Sequence, residues 1–268
     1  MFFEHINSAS ADYPFLVHHN NIRYIPHLHN ETEIVYVEEG EIELTLGNTT
    51  KVLKKSEIAV IPCKIIHNLY TKKSSKTFVI KLFPITNLEG IQLKSNILTL
   101  EDKEYNTLLC LVNNIINEDK NQNNDYMLAV NIYAQQIFLF ILRELKDASA
   151  VCDKTKLLKE SSFLNSVNAY LQENYKKSIK LETVAKHFNL TKSYFCRYFK
   201  TVTGTSFWNY YTLFRLEKTV ELLNSGEYRN LISVAMESGF NNVRSFNKAF
   251  KAFHSVTPSE YKKLLLNR

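Results

Sequence analysis

The sequence predicts an α+β chain: an N-terminal antiparallel β-barrel, two linker helices, and then an all-α C-terminal domain with two helix-turn-helix motifs. Three features lead there. Apolar residues recur at every second position between about 13 and 84, as in half-buried strands. From about 101 they recur at helical spacing. After 165, one stretch of sequence returns 50 residues later. At 268 residues the chain has room for two ordinary domains. The expected divisions are 1–100 for the barrel, 101–147 for a helical dimerisation segment, 148–162 for a linker and 163–268 for the rear domain.

In the front part, Glu41-Ile42-Glu43-Leu44-Thr45-Leu46 alternates polar with apolar residues, as a strand with one buried face does. Gly47-Asn48 reads as a turn, Val52-Leu53 as strand, and Lys55-Ser56-Glu57 as a second turn. Ile58 to Ile61 and Phe78 to Phe83 read as further strands. Short strands at this spacing suit an antiparallel sandwich or barrel. The basic cluster Lys72, Lys73 and Lys76 reads as a solvated turn.

Behind it, Leu108, Leu111, Val112, Ile115 and Ile116 share one helical face. The polar stretch Asn117 to Asp125 ends that helix. A second runs from Tyr126 to Leu145, with Ile137, Phe138, Ile141, Leu142 and Leu145 on one side. Helices this apolar must pack on something. They could simply cap the barrel, but the stripe is wide for one contact, so a homodimer is expected. Lys146 to Ser162 is mostly polar and reads as linker.

Composition narrows the class. No run approaches the ~18 apolar residues of a membrane-spanning helix, the densest being Ile137 to Leu142. Met1 to Pro14 lacks the basic-then-apolar order of a signal peptide. Cys63, Cys110, Cys152 and Cys196 lie far apart, without a C-x-x-C pair, which argues against a zinc finger or disulfide framework. A cytoplasmic chain with no membrane contact is the expectation. Residues 1–150 hold 14 Lys and Arg against 18 Asp and Glu, a balance of −4. Residues 151–268 hold 19 against 9, a balance of +10. A basic rear half suits a polyanionic partner.

The repeat pairs Val184-Ala185-Lys186-His187-Phe188-Asn189-Leu190 with Val234-Ala235-Met236-Glu237-Ser238-Gly239-Phe240. In each copy a small Ala (Ala185, Ala235) lets two helices cross closely. Four residues on, Asn189 or Gly239 tolerates the positive φ of a sharp turn. Thr191 in one copy, and Asn241 or Asn242 in the other, can cap the helix that follows. In the first such helix Phe195, Phe199 and Val202 face inward, while Ser193, Cys196, Arg197 and Lys200 face out; Lys192 and Tyr194 join them at its start. In the second, Phe246, Ala249, Phe250 and Phe253 face in, while Arg244, Asn247, Lys248 and Lys251 face out with the same spacing. A major groove admits one helix; Arg and Asn can read base edges and Lys can neutralise phosphate. One basic face is commonly just a solvated surface; two matched ones on a duplicated frame favour double-stranded DNA as the partner.

These residues carry a resemblance. Ala235, Gly239-Phe240, Ser245-Phe246, Phe250-Lys251, Thr257-Pro258 and Tyr261 resemble the second-repeat signature of the AraC/XylS family of transcription regulators. Leu181, Val184-Ala185, Ser193-Tyr194, Arg197 to Lys200, Thr203-Gly204, Phe207, Tyr210 and Arg215-Leu216 resemble its first half. The resemblance covers about 165 to 262. It implies two small helical subdomains joined by a long helix at about Ser206 to Leu223, with two reading helices in consecutive major grooves. Lys248 stands where Arg is usual, Ser255 where the signature has Gly, and Cys196 and Val243 where longer polar side chains are common.

The front half carries a second resemblance. His27-x-His29, Glu33 and Gly40 resemble the first cupin motif, with Asn21 in place of its leading Gly. Pro62 and His67 match part of the second motif, where Ser56, Lys64 and Thr71 replace its two Gly and its Asn. The resemblance implies His27, His29, Glu33 and His67 as the ligand-binding set; in cupin enzymes those positions hold a divalent metal, and Fe, Mn, Ni or Zn would suit them. Alternating histidines can equally serve as polar groups in a metal-free lumen, so no cofactor is required. No catalytic residue is assigned. The function expected is a ligand-responsive, sequence-specific DNA-binding regulator, in sense an activator. Its effector would be a small polar molecule, sugar-like or acid-like, and RNA polymerase is a candidate partner. A metal-dependent cupin enzyme fused to a DNA-binding module is the alternative from another class. A front domain that only dimerises is the third reading.

Overall fold

The computed structural model describes residues 14–47, 49–82, 91–147, 149, 153–225 and 230–266. The readings placed on Met1 to Tyr13, Asn48, Phe83 and Cys152 lie outside them.

The front half is antiparallel throughout. Strands β1 (Phe15–Asn20), β6 (Ser75–Leu82), β2 (Thr32–Leu46), β4 (Ile58–Ile61) and β7 (Ile97–Leu98) lie side by side in that order. β3 (Thr49–Lys54) and β5 (His67–Tyr70) both pair with the second half of β2. β2 therefore serves two sheets. Thr32 to Gly40 pairs with β6, while Glu41 to Leu46 pairs with β3 and β5. The strand changes sheet at a bulge between Val37 and Glu39 and at Gly40, whose φ is +75° and where a Cβ would meet the Ser74 carbonyl oxygen at 2.1 Å. Among the described residues the ladder runs from β1 to β7 without closing into a ring.

The two-residue period then sorts the side chains. Val35, Val37, Ile42, Leu44, Ile61, Leu69 and Val79 fill the space between the sheets. Ile34, Val60, Phe78, Ile80 and Leu82 point out of the other face. Helices α1 (Tyr105–Asn121) and α2 (Tyr126–Phe140), with the π-helical turn Ile141–Leu145, cover that outer face. This corrects the expectation that their stripe exceeds what one barrel face can bury: Leu108, Val112, Ile115, Ile137 and Ile141 are all enclosed in one cluster with the sheet. They pack on each other and on the sheet, and the two contacts together account for the stripe. Tyr126–Leu145 does have the length of a membrane span, 20 residues with a mean hydropathy of 1.3, although no single apolar run in it is long. Val130, Ala134, Ile137, Phe138, Ile141 and Leu145 on its inner side are packed against α1 and the sheet, while Leu128, Ile132 and Leu139 remain exposed.

The stretch expected as linker is largely helix. α3 (Lys154–Asn174) starts where Asp153 accepts a hydrogen bond from the Lys156 amide. Its first turns, up to Ser162, are polar and largely exposed, and its buried apolar face, with Leu164, Val167 and Leu171, lies beyond them. The two helix-turn-helix units follow as α4 (Leu181–His187) with α5 (Lys192–Thr203), and α7 (Leu231–Glu237) with α8 (Val243–His254). α6 (Phe207–Asn224), capped by Ser206, joins them, and α9 (Pro258–Leu266) follows α8. The turn backbones match: the Leu190 amide donates to the Ala185 carbonyl at 2.9 Å, and the Phe240 amide to the Ala235 carbonyl at 3.0 Å. Asn189 and Gly239 have φ of 55° and 86°, the left-handed values the turns need. Ile25 and Ile66 of the barrel join the same apolar cluster as α3, α5, α6 and α8, so the two halves are packed on one another.

Candidate DNA interface and sensor site

Helices α5 and α8 present their faces as the sequence predicts. Phe195, Phe199, Val202, Phe246, Phe250 and Phe253 are buried. Lys192, Ser193, Tyr194, Arg197 and Lys200 on α5 are exposed, as are Arg244, Asn247, Lys248 and Lys251 on α8. Thr191 and Asn242 cap the two helices by accepting from the amides of Tyr194 and Ser245. The end of each helix that would enter a groove is thereby fixed to its own turn. Among the described residues, Arg197, Lys200, Arg244 and Lys248 have no carboxylate in salt-bridge reach, so their charge is available to an incoming anion. Lys192 differs, because Glu182 holds its ammonium at 2.6 Å. Cys196 also departs from the expected face: it is half-buried and packs against the rear core.

The sensor residues converge. One candidate ligand atom from each of His27, His29, Glu33 and His67 lies within 4.8 Å of all the others. Glu33 comes from β2 and His67 from β5; the His27 backbone pairs with that of His67, by His27 N–H to His67 O at 3.0 Å and the reverse at 2.9 Å. Each imidazole is oriented from behind by a backbone carbonyl. His27 Nδ1 sits 2.7 Å from the Ile25 oxygen, His67 Nδ1 2.8 Å from Ile65, and His29 Nδ1 3.1 Å from Glu31. A carbonyl can only accept, so each Nδ1 carries the hydrogen and each Nε2 is turned to the common centre. There His29 Nε2 lies 2.7 Å and His67 Nε2 3.6 Å from Glu33 Oε2.

The electrostatics of this centre are set by burial. Burial by itself would raise the Glu33 carboxyl; the His29 and His67 imidazoles beside it, His29 at hydrogen-bonding distance, outweigh it and hold the group well below the usual carboxylate range. His27 is held well below its ordinary value by burial first and by the neighbouring His67 and His29 next. Two polar atoms stay unsatisfied here, Glu33 Oε1 and His67 Nε2, both buried without a hydrogen-bond partner. Unpaired buried polar atoms are costly, and a neutral imidazole beside a carboxylate is what a divalent cation accepts as ligands.

His27 also borders a cavity of about 490 Å³ between the barrel and the rear helices. Tyr24 and Lys81 line it from the barrel, and Asn168, Gln172, Phe214 and Glu217 from α3 and α6. Lys81 stands opposite Glu33 in the β2–β6 ladder, hence on the same side of the sheet. Burial pushes the Glu217 carboxyl up to about 8, against the pull of Lys218. These lining residues are scattered over four segments, and no local pattern could have united them.

A helix-turn-helix domain model matches residues 184–264, and a cupin domain model matches residues 17–82. The chain is 31% identical over 141 residues to the raffinose operon transcriptional regulatory protein of Pediococcus pentosaceus, which is 52% of this chain and 48% of that protein. It is 31% identical over 103 residues to the transposon TetD protein of Escherichia coli, 38% of this chain and 74% of that one. The match spans half or less of the length of the first curated relatives. Among solved structures, the fold is similar to unsaturated fatty acid bound ToxT from Vibrio cholerae, with a TM-score of 0.51 at 13% identity, over 94% of this chain and 95% of that chain.

Proposed function

The chain belongs to the AraC/XylS family of transcription regulators, and from that premise we propose that it binds duplex DNA through α5 and α8 in response to a small molecule held at the front barrel. The observation that carries this is the pair of exposed basic faces, equal in spacing, on one duplicated frame. Arg197 and Arg244 are the base-reading candidates; Lys200, Lys248 and Lys251 would meet phosphates. Fluorescence titration of a duplex selected from a random library, against unselected DNA, tests the reading. Arg197→Ala and Arg244→Ala should each cost about 1–3 kcal/mol on the selected duplex and relax preference at separate positions. Equal losses on every sequence would reduce both arginines to phosphate contacts.

The cavity beside His27 is the proposed effector site. Amides of Asn168 and Gln172, the carboxyl of Glu217 and the rings of Tyr24 and Phe214 suit a polyol, with hydrogen bonds at its edges and stacking on its faces. Relatives named for raffinose and melibiose operons agree with a sugar; the fatty acid of ToxT is the acid-like alternative. A divalent metal fits the set His27, His29, Glu33 and His67, because the set has orphaned buried atoms and carbonyl-anchored imidazoles. Such an ion would supply a Lewis-acid anchor for an effector hydroxyl. The protein's own part is to hold three Nε2 atoms and one carboxylate in place and to keep water from the buried side. A cytoplasmic homodimer that recruits RNA polymerase as an activator completes the proposal. An enzymatic cupin is not favoured, because the proposed pocket is walled partly by the DNA-reading half.

A further inference from the structure

The front barrel touches both reading helices at their C-terminal ends. Gly204, the left-handed C-cap of α5, lies so close to the turn after β2 that a Cβ there would sit 2.7 Å from the Gly47 carbonyl oxygen and 3.0 Å from Thr45 Cγ2. The C-cap of α8 is Ser255, also left-handed, with φ of 62°. Arg23 of the barrel reaches it. Its Nη2 donates to Ser255 Oγ at 2.7 Å, its Nη1 donates to the Phe253 carbonyl, and its Nε donates to the Thr71 carbonyl at 3.1 Å. The guanidinium lies 5.1 Å from the centre of the Tyr70 ring, and the residue is only 6% exposed. One buried cation thus joins barrel backbone to the last turn of the second reading helix.

Residue 255 is also where this chain departs from its family's pattern, with Ser in place of Gly. A left-handed backbone is costly for an ordinary L-residue, and Gly avoids that cost. Gly here would relieve the backbone but leave Arg23 Nη2 without its acceptor. The departure and the arginine are therefore one feature. Arg23 shares its ribbon with the sensor cluster: the backbone at Arg23 pairs with Tyr70, and four residues on that of His27 pairs with His67.

We propose that Arg23 is an interdomain clamp that ties the sensor barrel to the end of α8 and holds the docked chain in an arrangement of low DNA affinity. This rests on α5 and α8 being the DNA-binding helices. Two observations set its direction. The docked front half carries −4 against the +10 of the rear, so its field opposes an approaching phosphate backbone. Contact at both C-caps also fixes the two reading helices relative to one another, and an arrangement set without DNA does not adjust to the groove spacing.

The test uses the full-length chain and a duplex selected from a random library by the unaltered protein. Arg23→Met and Ser255→Gly should each bind that duplex at least about fivefold tighter by fluorescence anisotropy, within typical coupling between sites. The double variant should bind no tighter than Arg23→Met alone, because both substitutions cut one contact. Ser255→Gly suits the backbone at that position, so it decides the matter even where Arg23→Met fails to fold. Unchanged or weaker binding by Ser255→Gly, or gains that add in the double variant, would overturn the clamp. Failure to select any duplex counts against DNA reading itself and removes the clamp with it; selection followed by unchanged affinity counts against the clamp alone.

Discussion

Single residues carry the chemistry of both halves, and they do so where burial and charge conflict. Glu33 is wholly buried yet held ionised, which only the surrounding imidazoles allow. A cation in their midst would satisfy Glu33 Oε1 and His67 Nε2 together. Co²⁺ added to chelator-treated protein should therefore bind one per chain and give visible absorption, and His67→Ala should abolish that binding while leaving circular dichroism unchanged. No absorption change in the unaltered protein would settle the cluster as metal-free. Glu217 shows the opposite balance, with burial winning over Lys218 and the carboxyl pushed up to about 8. Its sign follows from proton counting. Between its ordinary value of 4.5 and about 8, the folded chain keeps a proton that the unfolded chain has released, so stability falls as pH rises through that window. Glu217→Gln removes the effect. Thermal unfolding followed from pH 5 to 8 should show a shallower decline for the variant, and parallel curves would mean that Glu217 is charged in the fold. The position of Glu33 and His67 was legible from the spacing of their motifs; that of Glu217 was not, because nothing near it in sequence shows that the barrel packs over α6.

At the scale of elements, legibility followed period. The two helix-turn-helix units, α4 with α5 and α7 with α8, stand where the repeat put them, because in each copy a cap, a turn residue and an apolar stripe agree: Thr191, Asn189 and Phe195 in one, Asn242, Gly239 and Phe246 in the other. The front strands were legible through alternation, but the double use of β2 was not. Its change of sheet depends on a bulge at Val37 and Glu39, and a bulge leaves no mark in a hydrophobic pattern. Only the first part of α3, Lys154 to Ser162, was read as linker, because that stretch keeps most of its side chains exposed and the buried apolar face of the helix starts at Leu164. The width of the α1 and α2 stripe misled for a related reason. Width was judged against one contact, yet these helices pack on each other and on the sheet at once. Cys196 was assigned outward from its spacing, but a small side chain between Phe195 and Phe199 can turn to the core without moving the helix.

The whole molecule sets two halves of opposite charge against one another and leaves a row of apolar side chains uncovered on α2. With Ile137 and Ile141 buried inside the monomer, they cannot also form a dimer contact. Substituting Glu for Ile137 would unfold the helical layer, since it would bury an unpaired charge. The outer side of α2 offers a different face. Leu128, Ile132 and Leu139 are 62%, 46% and 46% exposed, and their intervals of four and seven residues place them in one line along the helix. Scattered apolar residues on a surface are ordinary, but a line of them on an exposed helix suits self-association about a twofold axis, where each copy presents the same row. Two joined chains would present two pairs of reading helices, and the gain would appear in the salt dependence. Each phosphate neutralised contributes about −0.9 to the slope of log affinity against log salt, so a dimer bound at two half-sites should show roughly twice the slope of one chain. Sedimentation should then find the unaltered chain dimeric at micromolar concentration. Leu128→Glu with Ile132→Glu should give a folded monomer whose slope falls to about half on the same selected duplex. A monomer for the unaltered chain, or a dimer that survives both substitutions, would move assembly away from this face.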